Sequence, residues 1–138
     1  MKIINFKIDH LDLVAFKHKK ICKDDLEGFG LENAKCFILD NRIVFIWGLE
    51  IIRKGVAHCW SIPTIYAENN KIFIHKKTNL FIKKYVKKLN IHRLQTTIDN
   101  SCVKWIKSLG FKKESVLKKI TFDKKDEYLY VKFFDNGN

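Results

Sequence analysis

Apolar and polar positions along this chain follow two rhythms, one of period two and one of helical period, and the switches between them mark the elements. Residues 2–8 read as a short strand, after which Asp9 is placed to cap a helix, since a carboxylate there accepts unpaired backbone N–H groups. Leu11, Val14, Ala15 and Phe16 supply that helix with an apolar stripe, and residues 24–33 predict a second short helix broken by Gly28 and Gly30. Two β-branched apolar runs, 35–39 and 43–52, flank Asp40-Asn41, a pair suited to a tight hairpin turn. A turn at Lys54-Gly55 leads to a third strand, 56–61, which Pro63 ends because it has no N–H to donate.

The rhythm then changes. In residues 70–89, Ile74, Thr78, Phe81, Ile82, Tyr85, Val86 and Leu89 recur on one helical face while Lys76, Lys83, Lys84 and Lys87 lie opposite. Such a helix turns its apolar side to a core and its lysines to water. Asn90 ends it, 91–98 alternates as a strand, and 99–110 forms a short helix capped by Asp99, Asn100 or Ser101 and stopped by Gly110. Two last strands, about 111–122 and 127–134, are joined by the turn Asp123-Lys124-Lys125-Asp126. The expected core includes Phe45, Trp47, Phe81, Tyr85, Leu94, Ile98, Leu109 and Phe111. Trp105, although flanked by Lys104 and Lys107, is expected to face that core.

The length of 138 residues suits one domain, and no Pro-, Gly- or Ser-rich tract marks a linker, so a single domain over 1–138 is expected. Charges at Lys2, Lys7 and Asp9 leave no apolar run for a signal peptide, and no stretch approaches the roughly 20 apolar residues of a membrane span. Cys22, Cys36, Cys59 and Cys102 are widely spaced with no C-x-x-C pair, so neither a zinc knuckle nor a redox dithiol is expected. His58 and Cys59, adjacent on a strand, point to opposite faces and cannot clasp one metal. A net charge of +12, carried mostly by lysine pairs from Lys19-Lys20 to Lys124-Lys125, favours anionic partners without choosing among phosphate polyanions, acidic proteins and membrane surfaces. Exposure is expected for those pairs.

The segment IHRLQTTIDNSCVKWIKSLGFKKESVLKKITFDKKDEYLYVKFF resembles the closing half of the GNAT superfamily of N-acetyltransferases, with Leu109-Gly110-Phe111 and the stretch from Glu114 to Leu117 carrying most of the likeness. The element order agrees as well. The resemblance implies an α/β fold in which a mixed sheet of about seven strands holds a long central helix and a short C-terminal helix, with strands 56–61 and 91–98 parallel neighbours. Active members hold the pyrophosphate of acetyl-CoA on a glycine-rich loop at the start of the long helix. Here that place reads Ala67, Glu68, Asn69, Asn70 and Lys71, without glycine and with a carboxylate. The tyrosine that protonates the departing thiolate in the family is replaced by Ile106, and the general-base candidates are Glu50, His58 and Glu114. The span 55–134, with its Cys59-Trp60-Ser61 strand, further resembles the GNAT-like internal virion protein A of short-tailed bacteriophages.

Three readings follow. The first is a GNAT-fold protein with a degenerate acetyl-CoA site, a non-enzymatic internal virion or assembly protein meeting other virion proteins inside the particle or in the host cytoplasm, with no cofactor expected. The second is a cytoplasmic N-acetyltransferase that uses acetyl-CoA. The third is a basic protein associated with nucleic acid, for which aromatic residues interleaved with cations on one exposed face would be the mark.

Overall fold

The computed structural model of the chain describes residues 2–16, 21–26 and 29–135. Seven strands form one sheet in the order β1-β2-β3-β4-β5-β7-β6: β1 (Lys2–Asn5), β2 (Lys35–Leu39), β3 (Arg42–Arg53), β4 (Val56–Pro63), β5 (Arg93–Ile98), β6 (Lys112–Leu117) and β7 (Glu127–Phe133). Two α-helices accompany them, α1 (Lys71–Lys88) after β4 and α2 (Val103–Ser108) after β5. The fold is thus the α/β mixed sheet with one long and one short helix that the resemblance implied. β4 and β5 are parallel, paired from Val56 with Arg93 to His58 with Gln95, while β5–β7 and β6–β7 are antiparallel.

By its contacts the chain packs as two compact units, Met1–Glu50 with Cys59–Leu80 and Ile51–His58 with Phe81–Asn138. In the first, Phe6, Leu11, Leu26, Ala34, Cys36, Ile43, Ile46, Trp60 and Ile62 close one core. Phe45 and Trp47 are buried too. In the second, Ile82, Tyr85, Val86, Leu94, Ile98, Leu109, Phe111 and Tyr130 are buried, and most of the predicted apolar face of α1 is turned inward. Phe81 departs from expectation. It is only half-buried, because Ile82 takes the inward position, and its ring instead stacks beside Tyr85 at 6.2 Å. Trp105 is likewise only partly buried, the inward side of α2 belonging to Ile106.

Turn chemistry explains the hairpins. Asp40 and Asn41 have φ of 51° and 60°, the doubly left-handed pair of a tight hairpin, and Asn90 at 53° stops α1. Gly110, at φ 92°, ends α2.

The N-terminal helices are where the structure corrects the pattern. Asp9 is not the cap but lies in the first turn; the N-cap is Lys7, whose N–H donates to His10 Nδ1 at 2.9 Å, and the segment runs as a 3-10 helix over Ile8–Leu13. Val14 and Phe16 lie beyond it yet still pack on the core. The second predicted helix is two 3-10 turns, Lys23–Leu26 and Leu31–Asn33, with Gly30 left-handed at φ 63°. The interruption assigned to Gly28 and the exposure assigned to Lys19-Lys20 lie outside the described residues. β1 stops at Asn5, β4 continues to Pro63, and β6 stops at Leu117 rather than 122, since Lys119 turns left-handed at φ 53°. Among the described residues no helix is long and apolar enough to cross a membrane.

Candidate functional site

The segment between β4 and α1 is built around Thr64, which is fully buried. Its hydroxyl donates to the Val44 carbonyl at 3.0 Å and accepts the Tyr66 N–H at 3.2 Å, tying the turn to β3. The N–H of Ile65 donates to Ala15 O, that of Ala67 to Thr64 O and that of Asn70 to Ala67 O, at 2.9, 3.0 and 3.0 Å. The Asn70 amide donates to Tyr66 O at 2.9 Å. Ala67 is already helical, at φ −63° and ψ −38°, and a 3-10 turn, Glu68–Asn70, runs straight into α1.

Four backbone donors in this turn are therefore already engaged, where an open phosphate loop would leave such groups free. What remains for an anion is the positive end of an 18-residue helix and nearby cations. Lys71 pairs with Glu68 at 2.5 Å, and the Arg42 guanidinium lies 4.8 Å over the Tyr66 ring. Glu68, Asn69 and Lys71 are exposed, Asn70 is half-buried and Ala67 is buried. Glu50, the base candidate in this unit, is half-buried on β3, with Gly30 set against its backbone.

The second unit holds His58 and Glu114. His58 lies half-buried on β4 where that strand pairs with β5. Glu114 is not free to act as a base. Both its oxygens accept from the Arg93 guanidinium, at 2.6 and 2.7 Å, and those hydrogen bonds hold its carboxyl below the usual carboxylate range. Because β7 separates β5 from β6, this fork reaches across two strand spacings, about 9–10 Å. It clamps the sheet, a bidentate arrangement that only arginine makes. Ile106, where the resemblance led a tyrosine to be sought, is buried and has no proton to offer. Lys132 closes the C-terminal end of α2 by donating to Leu109 O at 2.8 Å; burial first, and then Lys83, push its pKa down.

Three participants carried no local signal in the sequence: Thr64, Arg93 and Glu127, whose carboxyl is held above the ordinary range by burial and by Asp99. Among the described residues no three His, Cys, Asp or Glu side chains gather where they could hold a metal, and the four cysteines form no disulfide there.

No family model matches the sequence, and no curated protein matches it. Solved structures do match. Ard1 from Thermoplasma volcanium superposes with a TM-score of 0.77 at 11% identity, over 96% of each chain. An acetyltransferase of the GNAT family from Bacillus anthracis gives 0.70 at 16% identity, over 95% of this chain and 93% of that one. The ribosomal-protein-alanine N-acetyltransferase from Brucella melitensis gives 0.72 at 13% identity, over 97% and 100%. At these identities the likeness establishes the fold, and it extends through the N-terminal part, where the sequence agreed by element order alone.

Proposed function

We propose that this GNAT-fold chain is an N-acetyltransferase that takes its acetyl group from acetyl-CoA and holds the cofactor's phosphates with side-chain cations instead of a glycine-rich loop. What supports the reading is the match along almost the whole chain to structures described as acetyltransferases. A pyrophosphate at the start of α1 would meet Arg42 of β3, Lys71 and the N–H groups of the helix end, while the four engaged donors of the preceding turn take no part. Acetyl-CoA, when bound, supplies an activated acetyl thioester. Glu50 and His58 are the candidates to take a proton from an amine, and Glu114, committed to Arg93, is not. Calorimetric titration with acetyl-CoA, together with mass spectrometry of a panel of primary amines, tests the reading. Saturable binding that Arg42→Ala weakens about tenfold, with acetyl transfer to an amine, is the expected result. Absence of both binding and transfer at millimolar cofactor overturns it.

One observation favours a second reading, a non-catalytic protein of the same fold such as the internal virion or assembly proteins that the sequence resembles. The backbone donors of the turn are engaged within the chain, and Glu68 sets a carboxylate at the helix end. On that reading acetyl-CoA does not bind, and the partners are other assembly proteins in the virion or the host cytoplasm.

A further inference from the structure

The β6–β7 hairpin carries features that neither reading uses. Its connecting loop, 118–126, is ordered by its own hydrogen bonds: the Thr121 hydroxyl donates to Asp123 Oδ1 at 2.6 Å and accepts the Lys125 N–H at 2.8 Å, and the Lys119 N–H donates to Asp126 Oδ1 at 2.9 Å. This scaffold holds Phe122 entirely in water, 105% exposed, among the exposed lysines 118, 119, 124 and 125. A phenylalanine held out in that way forgoes the burial that most phenylalanines find. At the opposite end of β7, Phe133 is 67% exposed with the Arg93 guanidinium 5.7 Å from its ring. Between the two ends Lys113 sits 4.6 Å over the Tyr128 ring. A shallow depression of about 360 Å³ is lined by Phe133, by Lys112, Lys113 and Lys132, and by Glu114, whose charge Arg93 neutralises.

Phe122 and Phe133 thus stand beside cations at the two ends of an edge hairpin, while Tyr128 with Lys113 faces the other side of the sheet from Phe133. We infer that this hairpin binds single-stranded nucleic acid, Phe122 and Phe133 stacking on unpaired bases while the lysines meet phosphates. Charge decides against a second copy of the chain, since a protein of net charge +12 repels itself along a lysine-rich edge. A membrane surface fits less well, because the two exposed rings are separated by the length of β7, about 20 Å, with the Arg93–Glu114 ion pair on the intervening strands. That length matches a site of about four nucleotides. A duplex hides the base faces that the rings would need.

Fluorescence anisotropy with a labelled uridylate dodecamer, at about 50 and about 200 mM salt, tests this. Binding should fall steeply with salt, and Phe122→Ala and Phe133→Ala should each weaken it about fivefold or more at fixed charge. Both rings are exposed, so an unchanged melting temperature will confirm that the variants fold. Lys76→Glu with Lys87→Glu, on the exposed side of α1, is the charge control and should cost much less than Lys124→Glu with Lys125→Glu. The inference is overturned if the phenylalanine variants bind as wild type, if the control pair costs as much as the loop pair, or if the matching duplex binds equally well. It is also overturned if no binding occurs, or if vesicles containing phosphatidylserine bind more tightly through Phe122.

Discussion

Substituting Gly48 by alanine tests the packing of the first unit at its tightest point. Gly48 on β3 lies beneath the indole of Trp60 on β4, and a methyl built there would sit 2.7 Å from the indole Nε1 and closer still to two ring carbons. Space, not backbone conformation, is what requires glycine here. Trp60 is 8% exposed, donates to the Phe29 carbonyl at 3.2 Å, and meets the Phe29 and Phe6 rings edge-on at 5.6 and 6.3 Å. It therefore pins the segment around Phe29 to the sheet. Overpacking costs about 1–3 kcal/mol, and displacing the indole forfeits a hydrogen bond of about 1 kcal/mol. Alanine's gain over glycine in a strand, roughly 0.5–1 kcal/mol, offsets part of this, so a net loss of about 2–3 kcal/mol is expected. Urea unfolding followed by circular dichroism measures it, and Trp60→Leu supplies the second arm. With the indole gone, Gly48→Ala should cost less than about 0.5 kcal/mol. An equal cost in both backgrounds, or none in the wild type, would refute the packing argument.

The Thr78 hydroxyl is buried on α1 and has no hydrogen-bond partner among the described residues, so Thr78→Val should stabilise the protein by about 1 kcal/mol in the same urea assay. Glu114→Gln should lower the melting temperature at neutral pH and at low salt. Because Arg93 depresses the Glu114 pKa in the folded state, that stabilisation is present above the unfolded value of about 4.3 and is lost as pH falls through the folded one, so the two melting curves should converge in acid. Burial pushes the Cys36 thiol up to about 12, so Ellman's reagent at pH 8 should find exposed Cys22 in the folded chain and Cys36 only on unfolding. The sign is opposite to that of Glu114: the thiol's contribution is intact below the unfolded value of about 8.5 and declines as pH rises beyond it. Under the transferase reading, Glu68→Gln frees Lys71 and removes a like charge, so calorimetry should show acetyl-CoA binding severalfold more tightly.

Local chemistry was legible wherever one residue type decides the backbone. Asp40-Asn41, Asn90 and Gly110 took the left-handed conformations their places required, and the face of α1 from Ile74 to Val86 is the one that is buried. What failed were marginal helices and long-range partners. Asp9 looked like a cap, but the turn starts two residues earlier and is closed by His10, and the apolar stripe beyond it packs without helical geometry. Phe81 and Ile82 are adjacent, and apolarity alone could not say which one points inward. Glu114 read as a possible base because its partner, Arg93, is remote in sequence and reaches it only because β7 inserts between β5 and β6. Thr64 gave no signal because its role depends on the Val44 carbonyl of another strand.

The turn after β4 shows how the same fold can carry different chemistry. A loop that offers backbone N–H groups binds phosphate through short, directed bonds that salt weakens little. In this chain four N–H groups of the turn are engaged, those of Tyr66 and Ala67 by Thr64, that of Ile65 by Ala15 and that of Asn70 by Ala67, and none of the four is open to an anion. Any phosphate held there must rely on Arg42, Lys71 and the helix end, whose attraction is long-ranged and screened. Salt weakens both kinds of attraction, so the readings separate by affinity and by its dependence on Arg42. A transferase built on side-chain cations loses its cofactor as ionic strength rises, whereas a protein that has abandoned the cofactor shows at most the diffuse attraction any phosphate feels for a chain of net charge +12. Removing Arg42 alone distinguishes them, because one charge in twelve hardly alters a diffuse field but is a large part of a local site.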